Sequence, residues 1–459
     1  MSQLASMAQC EATRSSTDEV LQKLFDRYEK TNKPLMVNFR KLVDWLPSGE
    51  WATHFIHPYP AKLLAHIPHF FLANRLLSKP GDSVLDPFCG SGTVLLESVL
   101  AGRNALGADA NPLARLISSA KVTRVPVSSL YNAMESIMRL SSTKTNSTLP
   151  RVVNLGYWFL EHTVEQLSQL LNCIKTLEDP DVKRFFLVCF SNCVRKVSLA
   201  DPRLSVPVRL RSDQYPPGHW LRESTNERMA RLQQQNAIDI FREVAVSNIE
   251  RMERFCSLCK TRANGKIVSY DARGLGHQVP NNSVPLVITS PPYLGAQKYI
   301  RASSLSLGWL GLTEGVTLRQ LEDMNIGREH YPTKLIKNEQ KTGIPIADKQ
   351  IALIRSENPL RATITENYLL EMRDAMKELI RVLKPGGHLV LVAANNQVCG
   401  REFKTQAFLR EIAEQQGLVT RLRLMDDIKS RGLMTRRNKT AGVIAREWVL
   451  LFQKPVTLC

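Results

Sequence analysis

Ser83-Val84-Leu85-Asp86-Pro87-Phe88-Cys89-Gly90-Ser91-Gly92-Thr93 is a short apolar run that ends on an acid and turns through two glycines into residues 94–101. There the apolar side chains recur at helical spacing, so strand, glycine turn and helix follow in that order. Two glycines at a sharp strand-to-helix turn let backbone N–H groups approach a ligand closely, and the helix N-terminus adds partial positive charge.

Outward from this turn, residues 104–108 read as a second strand ending at Asp109, followed by an Asn111-Pro112 turn and a helix over 113–121, which completes a βαβ unit. A third strand, 266–270, ends at Asp271 but comes only after an insertion far longer than the usual connection of a few residues. Within that insertion Ile238, Phe241, Ala245, Ile249, Met252 and Phe255 mark one face of a long helix. A fourth strand, 285–289, runs into Ser290-Pro291-Pro292-Tyr293, and a second long segment precedes a helix beginning near Thr365. Lys384-Pro385-Gly386-Gly387 stops that helix, 388–394 reads as a central strand, and 421–425 and 447–452 close the sheet.

The expected fold is α/β: an open, doubly wound, mostly parallel seven-stranded sheet with a large helical insertion, binding its ligands at the carboxyl ends of the strands. The expected divisions are 1–121, the first half of the sheet; 122–262, the helical insertion; 263–300, strands bearing the chemistry; 301–362, a second insertion; and 363–459, the rest of the sheet.

Hydrophobic residues at 43% and charged residues at 23% of 459 exclude a disordered, collagenous or coiled-coil chain. Lys plus Arg number 61 against 43 Asp plus Glu, a net charge of +18 that favours a polyanionic partner, nucleic acid or an anionic membrane. The nine cysteines are scattered and odd in number, which fits a reducing cytoplasm. The N-terminus has no signal-peptide pattern, and the longest apolar run, 185–190, is far short of the roughly 20 residues that span a bilayer. No secretion and no membrane partner are expected.

Four strand ends carry the chemistry. A carboxylate at Asp109 can accept both hydroxyl hydrogens of a ribose, and one at Asp271 is placed to accept from an adenine amino group. The bland alternative makes Asp86 and Asp109 caps of the helices that follow. In Ser290-Pro291-Pro292-Tyr293 the prolines fix the backbone and withhold N–H donors, so acceptors project from the strand end. An exocyclic nucleobase amine becomes nucleophilic when acceptors hold its two hydrogens and favour pyramidal geometry; a serine hydroxyl and a proline-flanked carbonyl supply them. Tyr293 offers a flat face for a base drawn out of a duplex, against the plain reading of a Pro-Pro-Tyr turn.

Together, Asp86-Pro87-Phe88-Cys89-Gly90-Ser91-Gly92-Thr93 and Ser290-Pro291-Pro292-Tyr293 closely resemble the motifs of the DNA amino-methyltransferases, which use S-adenosylmethionine. Serine before Pro-Pro-Tyr is similar to the site-specific cytosine-N4 enzymes of restriction-modification systems, whereas aspartate or asparagine there points to adenine-N6. His57-Pro58-Tyr59-Pro60-Ala61-Lys62 also looks like the segment that precedes the glycine loop in these enzymes. The resemblance implies that Lys62, Asp86, Pro87, Phe88, Gly90, Gly92, Thr93, Asp109 and Asp271 hold S-adenosylmethionine. It implies too that Ser290, Pro291, Pro292 and Tyr293 hold a cytosine flipped out of double-stranded DNA, with a cognate restriction endonuclease as a further partner. The motif order departs from many serine-type enzymes, which carry the catalytic motif before the glycine loop. Target recognition is assigned to 122–262, helped by 301–362. The alternatives are adenine-N6 transfer, an RNA guanine-N2 methyltransferase, and an inactive DNA-binding subunit.

Residues 201–223 carry Arg203, Arg209, Arg211 and Arg222 among prolines, Tyr215 and Trp220, a nucleic-acid-contacting loop or a solvated connector. Lys429, Arg431, Arg436, Arg437 and Lys439 admit the same two readings. Cys256 and Cys259 form one Cys-x-x-Cys without a second pair, and His54, His57, His66 and His69 come without a carboxylate cluster, so no metal is expected. Cys89 occupies the glycine turn rather than serving as a nucleophile.

Overall fold

The computed structural model describes residues 2–47, 51–60, 62–141, 150, 152–295, 298–428 and 445–456. Its strands are β1 (Leu35–Met36), β2 (Ser83–Asp86), β3 (Asn104–Ala108), β4 (Gly265–Ser269), β5 (Val284–Thr289), β6 (Leu383–Ala393), β7 (Asn396–Val398), β8 (Arg401–Phe403), β9 (Val419–Asp427) and β10 (Arg446–Gln453). Eight of them form one sheet in the order β1-β9-β10-β6-β5-β2-β3-β4, and β7 pairs with β8 as a separate hairpin. All neighbours in the large sheet are parallel except β10, which runs antiparallel to both β6 and β9.

The seven expected strands are all present, and β1 is an eighth. It is only two residues long, too short to show a period, and it adds to the edge at β9. The chain winds from β2 outward through β3 to β4, then returns to the other side of β2 for β5. Crevices open where the winding reverses, so the ends of β2 and β5 are where an α/β sheet takes its ligand.

Both faces of the sheet are covered, which is why its strands are nearly continuous runs of apolar residues. Along β6, Leu389, Leu391 and Ala393 pack under the helices Pro359–Val382 and Thr405–Gln415, while Val390 and Val392 pack on the opposite side with the Phe70–Phe71 pair of the helix His66–Ala73. The period-two alternation of a strand sends neighbouring side chains to opposite faces. The helix expected near Thr365 begins earlier, at Pro359, because Asn358 caps it by accepting from the Arg361 N–H and proline suits the first turn. It ends at Val382, and the strand begins on the next residue.

Between β3 and β4 the helices Val127–Ser141, Glu161–Lys175, Pro180–Val197, Trp220–Gln234 and Ala237–Leu258 follow one another. Phe185, Phe186, Phe190 and Phe241 are fully buried in a core continuous with Leu95, Leu96 and Ile117 of the helices flanking β3. Each such side chain contributes roughly 1.5–3 kcal/mol by leaving water, so the insertion is anchored on the sheet layer rather than hung from it. Trp220 and Arg222, expected in an irregular stretch, start a helix whose first turn is capped by the His219 ring, accepting from the Leu221 N–H at 3.1 Å. The helix Ser2–Thr31 shows no strong apolar stripe and was not expected. Among the described residues no helix is long and apolar enough to cross a membrane.

Candidate active site

Asp86 ends β2, buried, and its Oδ1 accepts from the Thr289 hydroxyl at 2.6 Å and from the Phe88 N–H at 3.1 Å. Burial pushes its pKa up to about 7, against the pull of those two donors. The glycine turn then folds back on β3: the Cys89 N–H donates to the Ala108 carbonyl at 2.9 Å, and the Gly90 N–H to Asp109 Oδ2 at 2.8 Å. Gly90 and Gly92 have φ of +49° and +77°, in the left-handed region that favours glycine. A Cβ on Gly92 would also lie 2.8 Å from the Ser118 Cβ.

The helices that follow are capped by Gly92 and by Asn111, whose side chain accepts from the Leu113 N–H at 3.0 Å. Neither Asp86 nor Asp109 is therefore a helix cap. Asp109 instead takes the Gly90 N–H on one oxygen and the Asn111 N–H, at 2.8 Å, on the other. Each carboxylate oxygen can accept more than one hydrogen, and Asp109 lines a cavity with Tyr59, Phe88, Gly90, Asp271 and Ser290. Asp271 reaches the same cavity with its carboxylate oriented by a bidentate pair with Arg273, closest at 2.8 Å.

A second cavity adjoins the first and shares Phe88, Gly90, Ser290 and Tyr299 with it. It is lined also by Lys62, Asp86, Thr93, Pro291, Tyr293 and Glu447. The Tyr293 hydroxyl donates to Glu447 Oε1 at 3.1 Å, which fixes the ring from β10. Burial, with Glu447 beside it, pushes the Tyr293 hydroxyl well above its usual range, and burial raises Glu447 too. Lys62 Nζ donates to the carbonyls of His54 at 3.1 Å and His57 at 2.6 Å. Burial and the nearby Arg251 lower its pKa to about 8. An ammonium carries three protons, so one remains for a ligand.

Asp86, Phe88, Gly90 and Thr93 of the glycine turn, Asp109, Asp271, Lys62 and Ser290 to Tyr293 thus converge on two joined cavities at the sheet's switch point, with Pro87 and Pro292 on the Asp109 side, whereas Gly92 lines neither and packs against Ser118. Sequence reading missed Glu447, Arg273 and Tyr299. A lone glutamate opening a strand and a lone tyrosine opening a helix carry no pattern; Arg273 could have been suspected from its spacing of two from Asp271.

The expected basic contacts are disposed differently. Arg203 pairs with Asp201 at 2.7 Å, Arg211 with Asp213 at 2.8 Å, and the Arg209 guanidinium lies 4.7 Å from the centroid of the Tyr157 ring. Arg436 and Arg437, with Lys429, Arg431 and Lys439, lie outside the described residues. His54 and His69 both meet the buried Glu97, at 2.6 and 2.7 Å. Among the described residues no group of three or more His, Cys, Asp or Glu is arranged to hold a metal.

The switch point, the glycine turn and the acids at successive strand ends define an α/β enzyme that takes a nucleoside-containing cofactor beside a second substrate cavity. The DNA methylase family matches residues 13–118. The type II methyltransferase M.MvaI of Kocuria varians is 26% identical over 78% of this chain and 80% of its own length. The type II methyltransferase M.BsoBI of Geobacillus stearothermophilus is 19% identical over 91% of this chain and 87% of its own. Among solved structures, the rRNA methyltransferase aviRa of Streptomyces viridochromogenes aligns over 91% of this chain and 96% of its own, at 11% identity and a TM-score of 0.34. These similarities support a DNA amino-methyltransferase family of the N4/N6 type, which uses S-adenosylmethionine.

Proposed function

We propose that this chain methylates the exocyclic N4 amine of a cytosine flipped out of duplex DNA, at a specific sequence and within a restriction-modification system. The observation that carries the reading is the placement of Ser290-Pro291-Pro292-Tyr293 at the end of β5, with Ser290, Pro291 and Tyr293 beside Asp86 and Phe88 in one cavity. The serine before Pro-Pro-Tyr favours cytosine over adenine.

S-adenosylmethionine supplies an electrophilic methyl on a sulfonium. Tyr59 and Phe88 offer flat apolar faces for its adenine, Asp109 takes ribose hydroxyls, Asp271 accepts from the adenine amine, and the remaining Lys62 proton meets a carboxylate. These residue types fit such a group, and they line joined cavities. The Ser290 hydroxyl and the carbonyls around Pro291 accept the two amine hydrogens of the target base, and Tyr293, fixed through Glu447, stacks on its ring. Holding the amine in line and favouring its pyramidal form accounts for the rate without a strong base.

In the same reading, residues 122–262, helped by 301–362, recognise the target sequence. The protein works in the cytoplasm, and a cognate endonuclease shares its site.

The test is expression in a host lacking the gene, followed by mass spectrometry of the host's nucleosides. N4-methylcytosine that disappears with Ser290→Ala supports the reading. N6-methyladenine moves the substrate to adenine, and neither product with intact cofactor binding overturns DNA methylation by this site.

A further inference from the structure

A third cavity, of about 630 Å³, lies beyond Tyr59, which also lines the cavity of Asp109. Arg195, Lys196, Arg203, Arg228 and Arg231 line it, and no carboxylate does among the described residues. Arg203 is neutralised by Asp201. Arg195 and Arg228 are held differently: Arg195 Nη2 is spent on the carbonyls of Asp201 and Leu204, and Arg228 Nη2 on that of Lys196. Arg195 Nη1 and Arg228 Nε are buried and make no hydrogen bond among the described residues. Burial lowers the pKa of both guanidinium groups, and Arg231 adds to the effect on Arg228. Five cations lining one cavity are the complement of an anion with several acceptor oxygens.

A stack of rings starts at this cavity. The Arg203 guanidinium lies 5.8 Å from the Tyr215 ring centroid, Tyr215 stacks on His219 at 5.5 Å and 13°, and His219 on Trp220 at 6.2 Å and 21°. Trp220 ends the stack and is 68% exposed. Aromatic stacks beside a basic groove bind unstacked nucleobases whatever their identity.

We propose that the cavity and the stack hold one strand of the DNA substrate at two points, a backbone phosphate among Arg195, Arg228 and Arg231 and an unstacked base of a nearby nucleotide on Trp220. This rests on the duplex-DNA reading above and adds a second point of hold, away from the target-base cavity. It assigns the contact to residues other than Arg209 and Arg211.

The experiment follows binding of a mixed-sequence duplex by fluorescence anisotropy over a range of KCl concentrations, with S-adenosylmethionine binding by calorimetry as a control for folding. Arg228→Gln with Arg231→Gln is expected to lower the slope of log affinity against log salt by roughly 0.9, the value for the one phosphate that the variant no longer neutralises. Trp220→Ala is expected to weaken binding on the order of tenfold, with Trp220→Phe restoring it. Arg231→Gln alone, at an exposed position, keeps the test valid if the double variant loses cofactor binding. Wild-type slope and affinity in the variants overturn the proposal while leaving the DNA reading intact. So does inorganic phosphate that binds in an Arg228-dependent way without competing with the duplex, which marks a free-anion site. A wild-type protein that binds no duplex removes the DNA reading itself.

Discussion

Thr289 donates its hydroxyl to Asp86 at 2.6 Å, joining the carboxyl end of β5 to that of β2. Their registers meet at Val84 with Leu286 and Leu85 with Val287, and the sheet hydrogen bonds stop short of the tips. The side-chain bond carries the alignment past the last paired residues, so the glycine turn and Ser290 are positioned by one contact. In the proposed function, the target-base site and the cofactor site thereby share one structural link.

Asp86 should make stability fall with rising pH. Its carboxyl titrates at 3.8 in the unfolded chain and near 7 in the fold, so between those values the native state binds the extra proton. Stability is fully present below about pH 4 and declines until about pH 7. Asp86→Asn, which keeps an oxygen for Thr289 and Phe88, is expected to flatten that decline in urea melts taken across the range. An unchanged slope would remove Asp86 as its source.

Ser290→Ala should leave cofactor affinity within about twofold while single-turnover rates drop by about 10²-fold or more, the typical loss when one preorganised partner of the reacting group is removed. Tyr293→Ala should do the same, whereas Tyr293→Phe, which keeps the ring and loses the hydroxyl's bonds to Glu447 and Ser290, should cost less than tenfold. Calorimetry beside quench-flow separates the two effects.

Lys62 sets a second pH dependence. Its ammonium persists up to about pH 8, so affinity for a carboxylate-bearing cofactor is expected to weaken as pH rises through 8. In Lys62→Met, affinity should be level across that range and fall below the wild type's only under about pH 8. Titrations from pH 6.5 to 9.5, bounds chosen about 1.5 units either side of it, would show whether the step belongs to this lysine.

Glu97 is buried between His54 and His69. Burial alone would raise its pKa, but bonds from both rings outweigh it and hold the carboxyl at about 2. A depressed pKa contributes stability present above the unfolded value of 4.5 and lost as pH falls towards 2. Glu97→Gln is expected to cost about 1–3 kcal/mol at neutral pH and to shift acid unfolding, both readable by chemical denaturation.

The sheet was legible because parallel strands buried on both faces must be apolar throughout and must end in turns. Asp86, Asp109, Asp271 and Ser290 stand at those ends. The long insertion was legible as helical through one face, Ile238 to Phe255, but its packing partners were not. Which arginines meet carboxylates depends on side chains close in the fold. Arg203 and Arg211 stand two residues from the aspartates they pair with, whereas Arg195 and Arg228, held by backbone carbonyls, lie on separate helices. Glu447 joined the site only through β10 crossing between β6 and β9, a pairing no local pattern announces.

That crossing has a consequence in time. A ribosome delivers β6 and β9 before β10, so the place between them in the sheet can be filled only once Arg446–Gln453 has been made. Glu447, which accepts from the Tyr293 hydroxyl, belongs to that strand. The Tyr293 anchor is therefore completed only by the strand that is made last and that closes the middle of the sheet.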